Sequence, residues 1–582
     1  MNCCTMIPTK RKQMLMSKKF FSMLLGGTLT MMVVSILLMS DQVIAGFFIG
    51  SDAVAGITLV TPLYSLSAFF GSVISLGVPI LYSTEMGKFN KKRADQVFGL
   101  GLLMSIVVGI IMFAAVNLFG EAYLSSGSPS DAILTQALGY LSWMRFTILI
   151  MPIQMLIGAV VYYDGDEGIS NIASAVQGLG NIIFSIVLSH FMGIKGIGLA
   201  SFLFNAISLL IFLLHFAKKS NSLKFNLYFS FDLLKDVVRY SIIDSSSYLF
   251  LSVFTAVLNT YVTSHFGSEY LIIVSAITLS REFQLLFEGI GEAVGPIFSV
   301  YVGENSKEGL RSIYSLASKT AIFEGIIVTI VMVVASPLVP AVLDVTDPEL
   351  IHWVVEGVRM TALGSTFVSL LYLLTSYYLV IERIALGTVV CAVRDVVFSI
   401  SLAFAFGGIW GIFGMFMGLV AAPVLAYGSL ILYITKRYGR EDCPLLLSKI
   451  SGENSYLFNL NTEPEEIIKV QGEIGTLLKE HDVDNKTINR AMLLIEEMYV
   501  FIRQMNDNKA VLAECTVFLK PDGVQIISKD DGVSFDMANE DISTLSLSAY
   551  TVASYLEKRD FGNRHLTTMS FNRSSFFIQY EQ

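Results

Sequence analysis

The sequence predicts an all-α polytopic membrane protein with twelve transmembrane helices in two parallel six-helix repeats. A small α/β domain, an α+β sandwich by pattern, follows them. Three observations carry this reading. Of 582 residues, 54% are hydrophobic and 15% charged, more apolar surface than a soluble fold of this size buries. Landmarks recur along the chain at a nearly constant separation. The C-terminal region breaks with the rest: residues 451–582 hold 21 acidic and 12 basic side chains, and so carry the whole formal charge of −9.

Phe21 to Ser40 is apolar throughout, and roughly 20 such residues at about 1.5 Å each cross the hydrocarbon core. Twelve spans follow from this criterion, at 20–48, 53–83, 96–118, 132–161, 169–190, 196–216, 237–265, 270–302, 313–342, 350–380, 387–406 and 409–435. The basic start (Lys10, Arg11, Lys12, Lys18, Lys19) precedes no A-x-A cleavage site, so the first span reads as an uncleaved helix. Basic residues gather in the loops holding Lys88, Lys91, Lys92 and Arg93, then Lys218, Lys219 and Lys224, then Lys307 and Arg311, and after the last span. The opposite loops 119–131 and 343–349 contain no Lys or Arg. The positive-inside rule then expects a multi-pass protein of the cytoplasmic membrane with both termini in the cytoplasm. The expected division is a basic N-terminus at 1–19, an N-lobe at 20–216, an inter-lobe linker at 217–236, a C-lobe at 237–436, a linker at 437–455 and a cytosolic domain at 456–582. The five cysteines (Cys3, Cys4, Cys391, Cys443, Cys515) show no disulfide or metal spacing and read as reduced thiols.

Gly50-Ser51-Asp52 answers to Gly267-Ser268-Glu269 at an offset of 217, and Gly87 to Gly303 at 216. Gly193-Ile194-Lys195-Gly196-Ile197 answers to Gly408-Ile409-Trp410-Gly411-Ile412 at 215, and Arg145 to Arg359 at 214. An even number of helices per copy gives both copies the same orientation, and parallel repeats of this kind place a substrate site between two bundles. The architecture points to a transporter. Asp41 is the only charged residue between Phe20 and Ser51. An intramembrane carboxylate costs on the order of 2.5–3.5 kcal/mol at the helix centre. It is either a functional group facing a cavity or a wet residue at the helix end.

Several stretches resemble the multidrug and toxic compound extrusion (MATE) family. They are Asp41-x4-Gly46-x3-Gly50 leading into Ala53-Val-Ala-Gly-Ile-Thr-Leu-Val-Thr-Pro62, the Gly-x-x-Gly-Ile element with nearby Asn181, and Glu288-Gly-Ile-Gly-Glu-Ala-Val-Gly-Pro296. The resemblance covers about residues 15–436. It implies alternating access by two six-helix lobes and H+ or Na+ antiport that expels amphipathic, often cationic xenobiotics. Asp41 falls where the family has a first-helix acid. A carboxylate taken out of water is easier to protonate, and such a group can trade a proton for a cation. Asn181 matches a fifth-helix Asn, whereas the acid the family often carries four residues later is Ser185 here. In the second lobe the candidates are Asp244, Asn259 as a polar liner, and Glu288 with Glu292 one turn apart on one face. Glu288, Glu292 and Arg281 also read as a satisfied ion network. Arg145 and Arg359 read as helix-end anchors or partners of acids.

In the tail, Pro464–His481 and Asn485–Gln504 pattern as amphipathic helices, and Cys515–Leu519 with Val524–Ser528 as strands around a Lys520-Pro-Asp-Gly523 turn. The order, with Leu494-Ile-Glu496-Glu497 and then Asp530-x-Gly532-x-x-Phe535, resembles the ATP-binding fold of histidine kinases and anti-sigma-factor kinases. In that family an Asn four residues after the helix Glu holds magnesium and a glycine-rich lid covers the phosphates. Here that position is Phe501, which offers no oxygen to a hard cation, and no glycine lies between Gly532 and Gly562. Glu497, Asp530 and Gly532 therefore mark a degenerate nucleotide-type site without catalysis.

The leading expectation is a secondary active transporter, not an enzyme, with no cofactor beyond a coupling ion and no metal or catalytic residue. Its partners are small cationic or amphipathic molecules, membrane lipids, and a regulatory partner or nucleotide at the tail. The alternatives are a lipid-linked or polysaccharide flippase of the same superfamily and a membrane sensor signalling through the tail. A primary ATP-driven pump is disfavoured because no G-x4-G-K-[ST] loop occurs, and nothing points to nucleic acid.

Overall fold

A computed structural model describes residues 15–580 apart from 88–90, 127–128, 165, 219–220, 222, 225, 227, 450–454, 534–555 and 562–570. Its contacts gather into two units, Thr28–Glu288 with Thr320–Tyr433, and Met1–Gly27 with Gly289–Lys319 and Ile434–Gln582. The first repeat runs through α1 (Leu15–Phe48), α2 (Ser51–Gly87), α3 (Lys91–Ser125), α4 (Asp131–Tyr163), α5 (Glu167–Met192) and α6 (Ile194–Leu213). The second runs through α7 (Phe231–His265), α8 (Leu271–Phe283), α9 (Glu288–Gly303), α10 (Lys307–Ala335), the short α11 (Val339–Val342), α12 (Pro348–Leu363), α13 (Ser365–Val380), α14 (Ile384–Ala392) and α15 (Phe398–Tyr438).

The second repeat has more helices because its spans are broken. A 3-10 turn at Gln284–Phe287 joins α8 to α9, and α12 meets α13 at a 46° bend. α15 leaves helical geometry at Trp410 and Gly411, so it closes one span and forms the next. Among the described residues, eight helical stretches are long and apolar enough to cross a membrane, nine when the bent pair counts as one. One of the eight, Ile384–Tyr438, is 55 residues long and holds two spans across its break. α1 and α7 fall outside that count but have the length to cross. Lipid-facing residues show as exposed apolar side chains, such as Phe191 at 80% and Leu118 at 74%.

The repeat is stricter in three dimensions than along the sequence. Gly50 and Gly267 share positive φ, 125° and 113°. The caps Ser130 and Asp347, also 217 apart, accept from the first-turn amides of α4 and α12. Gly193 (φ 60°, ψ −140°) matches Gly411 (φ 62°, ψ −144°), a left-handed linkage that favours glycine. This corrects the sequence alignment, which paired Gly193 with Gly408. Gly-Ile-x-Gly occurs twice in tandem from Gly408 to Gly414, and only the second copy carries the turn. Arg145 and Arg359 likewise sit one helical turn apart in equivalent helices rather than at the same site.

Equivalent residues touch only beside the axis that relates them. Thr58 and Ser275, 217 apart, meet with their hydroxyls at 2.6 Å, which puts the pseudo-two-fold axis there. Along this line α2 packs against α7 and α8. Asn259 Nδ2 donates to Thr58 O at 3.1 Å, Ser252 Oγ to Pro62 O at 2.8 Å and Ser245 Oγ to Ser72 Oγ at 3.1 Å. The first of these has a cause in sequence. Pro62 lies inside α2 and has no N–H to give the carbonyl four residues before it, that of Thr58. Apolar surroundings make a missing hydrogen bond expensive, and Asn259 supplies the donor. Gly46 allows a backbone approach of another kind, since a Cβ there would stand 2.0 Å from Val342 O.

The C-terminal domain holds an antiparallel sheet in the order β1-β2-β3-β5-β4, formed by β1 (Ser455–Asn461), β2 (Leu512–Lys520), β3 (Gly523–Asp530), β4 (Leu556–Phe561) and β5 (Asn572–Gln579). α16 (Pro464–Glu480) and α17 (Asn485–Met505) cover one face, burying Ile474, Ile495, Met498 and Ile502 against Ala513, Cys515, Val517 and Ile526. Strand alternation puts every second residue of β2, β3 and β5 on the opposite face.

The pairing of Pro62 with Asn259 is testable by a double-mutant cycle. Asn259→Ala should lower the thermal unfolding midpoint of the detergent-solubilised protein, with a cost of about 1–3 kcal/mol. Pro62→Ala, which restores an N–H for Thr58 O, should remove most of that cost. Additive effects would refute the pairing.

Candidate ion and substrate site in the membrane helices

The first lobe builds a polar centre around Asp41 of α1. Asp41 Oδ2 accepts from Tyr140 Oη of α4 at 2.6 Å and from Ser201 Oγ of α6 at 3.0 Å. Ser201 Oγ also lies 3.3 Å from Asn181 Oδ1 of α5, which accepts from Ser185 Oγ at 3.1 Å. Four helices thus converge on one carboxylate, and Ser185 fills the place where an acid was looked for. Asp41 Oδ1 is buried with no hydrogen-bond partner. The network continues along α6, where Asn205 Nδ2 donates to Ser201 O at 2.7 Å and Asn205 Oδ1 accepts from Gln177 at 3.1 Å. Gln154 donates to Gln177 Oε1 at 2.8 Å.

A second acid faces this centre. Glu282, at the end of α8, is close enough to Asp41 for their negative charges to oppose each other, and Tyr64 of α2 feels both. Glu282 Oε2 is also a buried oxygen without a partner. Sequence reasoning named its neighbour Arg281 and missed Glu282. The signal was two adjacent charges in an otherwise apolar span.

The second lobe uses its charges differently. Arg394 is buried and bonds Asp395 twice, Nε to Oδ1 and Nη2 to Oδ2, both at 2.8 Å. Its guanidinium lies 3.9 Å from the ring centre of Tyr372. The pair sits on a π-helical turn, Val393–Val397, a feature common at functional sites. Arg281 lies over Phe254 at 3.8 Å and donates to Ser399 Oγ at 3.3 Å. Glu288 reaches the same surroundings, close to Tyr248 and Tyr372.

The other predicted residues are placed apart from Asp41. Asn259 is the α7–α2 tie described above rather than a cavity liner. Glu292 is exposed on α9. Asp244 lies on α7, and its side chain falls outside the described residues. Arg145 donates to Asn117 Oδ1 of α3 at 3.0 Å, and Arg359 bonds Ser336 Oγ at 3.1 Å and Glu356 at 2.9 Å. Both tie neighbouring segments together. In the tail, Asp530 Oδ1 accepts from Asn572 Nδ2 at 2.7 Å and Gly532 N at 3.1 Å. It closes the end of β3 onto β5. Glu497 is half-buried on α17, and the lid region 534–555 lies outside the described residues. Among the described residues no three His, Cys, Asp or Glu side chains are arranged to hold a metal ion.

The helices form a duplicated bundle with a buried carboxylate in one lobe. Residues 28–189 match the MatE family model. The multidrug export protein MepA of Staphylococcus haemolyticus is 20% identical over 433 residues, 72% of this chain and 94% of the relative. Two solved structures of multidrug resistance MATE family transporters share the fold. The inward-facing one has TM-score 0.66 and 18% identity, covering 72% of this chain and 96% of its own. The outward-facing one has TM-score 0.59 and 16% identity, covering 74% and 98%. Residues 28–189 are thus similar to the MATE family, and the helical bundle shares the fold of its solved transporters.

A clasp closes the helix ends between α4 and α6. His215 contacts Asp164 Oδ2 through Nε2 and Asp166 Oδ2 through Nδ1, each at 2.9 Å, and Lys218 Nζ donates to Asp166 at 2.8 Å. The Lys218 bond, followed by His215 and the Ile169 amide, holds the Asp166 carboxyl down to about 2. A depressed carboxylate stabilises the fold fully above its ordinary value and loses that contribution as pH falls through the folded value. Asp166→Asn should lower the unfolding midpoint at neutral pH, and the gap to wild type should close between pH about 4 and about 2. A gap independent of pH would refute the assignment.

Proposed function

We propose that this transporter is an antiporter, driven by H+ or Na+, that exports amphipathic, cationic small molecules across the cytoplasmic membrane. Both termini then lie in the cytoplasm, and the C-terminal domain is regulatory. The observation that carries the reading is Asp41 itself. It is held by neutral donors from α4 and α6 and keeps one buried oxygen free of partners. Such a carboxylate can take a proton or a cation without first breaking an ion pair. Glu282 adds a second buried carboxyl group suited to receive a proton or a cation. The export activity named for the Staphylococcus relative supports the same direction. Arg281 and Arg394 are engaged by Phe254, Ser399 and Asp395, which favours the antiporter over a flippase whose substrate pyrophosphate needs free arginines.

Proteoliposomes loaded with ethidium under an imposed proton or sodium gradient test this. Wild type should expel the dye, and Asp41→Asn should reduce gradient-driven efflux by about tenfold or more. Glu282→Gln should weaken transport of cationic dyes more than of neutral ones. Efflux that survives Asp41→Asn, or that ignores both gradients, would sink the reading.

A further inference from the structure

An antiparallel sheet with helices on one face usually leaves its other face to water. Here that second face is charged and yet buried. In cross-strand register, Glu514 of β2 stands beside Lys529 of β3, and Lys529 beside Arg573 of β5. Glu514, Thr516 and Lys529 are 0% exposed and Ile527 3%. What covers them is the end of α9. Lys529 Nζ forms ion pairs with Glu304 Oε2 at 2.7 Å and Glu514 Oε1 at 2.8 Å, and sits 4.5 Å from the Tyr301 ring centre. Tyr301 Oη donates to Glu514 Oε2 at 2.7 Å, and Arg573 Nε to Glu304 Oε1 at 3.0 Å. Tyr301 and Glu304 come from the second repeat. The same domain also holds the start of the first repeat, where Lys18 Nζ of α1 pairs with Asp531 Oδ2 at 2.9 Å. Nearby, α1 and α9 approach so closely that a Cβ on Gly27 would stand 3.0 Å from Gly289 O.

We propose that the C-terminal domain is a strap that ties the terminal-side ends of α1 and α9 together, with the Glu304–Lys529–Glu514 cluster as its buckle. The two helices belong to different repeats. Alternating access in a two-lobe transporter parts the repeats on one side of the membrane at a time. Motion that draws α9 from α1 on this side must break the buckle or the Lys18 pair. Breaking a buried pair strands an uncompensated charge, so the strap holds back opening on the side of the termini. This rests on the transporter reading. Its test measures distance rather than transport, so the two readings fail separately.

Spin labels on Lys19→Cys and Ser299→Cys, in full-length protein with the five native cysteines replaced, report the separation of α1 and α9 by pulsed electron resonance. The otherwise unmodified chain should show one short, narrow distance. Glu304→Gln, which lies outside the sheet and leaves its folding intact, should raise a longer-distance population by about fivefold or more. Glu304→Asp should keep the short one, and adding Lys18→Gln to Glu304→Gln should lengthen the distribution further. Identical distributions in all variants, or a lengthening that Glu304→Asp shows equally, would overturn the strap. Loss of dye efflux with unchanged distances would count against the function proposed above only.

Discussion

Inside a membrane no water repairs a missing hydrogen bond, and that constraint explains most of the polar side chains in the helical bundle. Breaks in a helix expose carbonyls, and at two of them a neighbouring helix supplies the donor. Pro62 strips one from Thr58, and Asn259 replaces it. The bend between α12 and α13 loosens Thr361 and Ala362, whose carbonyls accept from Gln284 at 3.3 Å and Thr329 at 2.9 Å. Because these replacement donors come from neighbouring helices, such a kink also becomes a tie. The contacts of α2 with α7 and α8, centred on Thr58 and Ser275, gain their specificity in this way. They locate the axis of the repeat where polar groups are scarce and each one counts.

Duplication supplied two equivalent lobes, but the charges within them have diverged. The first lobe surrounds Asp41 with hydroxyls from Tyr140 and Ser201 and leaves one oxygen spare. The second neutralises Asp395 with a bidentate arginine. A carboxylate held only by neutral donors changes its charge at modest cost, whereas one locked to a guanidinium does not. In the antiport proposed above, the gain and loss of charge is assigned to Asp41 of the first lobe, with Glu282 as the contribution of the second.

The fold class was legible because hydrophobicity and repeat spacing act over whole helices and tolerate local ambiguity. Asp41 stood out as the lone charge in an apolar run and Asn181 through the family resemblance, and the structure brings the two into one polar cluster. Tyr140 and Ser201 were not legible, since tyrosine and serine are ordinary in membrane helices and only convergence of α1, α4 and α6 gives them meaning. The Gly193 alignment slipped by three residues because a tandem Gly-Ile-x-Gly offers two matches, and only backbone dihedrals choose between them. Asn259 read as a cavity liner because its true partner is a backbone carbonyl freed by a proline on another helix. Composition and periodicity carry no trace of such a pairing.

The tail carries specific contacts at the polar ends of its strands. Its resemblance to a nucleotide-binding fold singled out Asp530, and in the structure that carboxylate caps a strand end against Asn572 and Gly532. The next residue back, Lys529, is the one whose placement demands an explanation. Burying a lysine completely is costly unless its charge is met, and two carboxylates, Glu304 and Glu514, stand within ion-pair distance on opposite sides of the domain boundary. Their charges hold its ammonium above the ordinary lysine value despite the burial. Glu304 follows directly on α9, and α9 continues through the Gln284–Phe287 turn into α8, which ends at Phe283 beside Glu282. One continuous stretch of chain thus carries both the buckle of the strap and the second acid of the proposed site. In the strap proposed above, a domain that grips one end of this stretch is placed to bias the equilibrium that the other end serves.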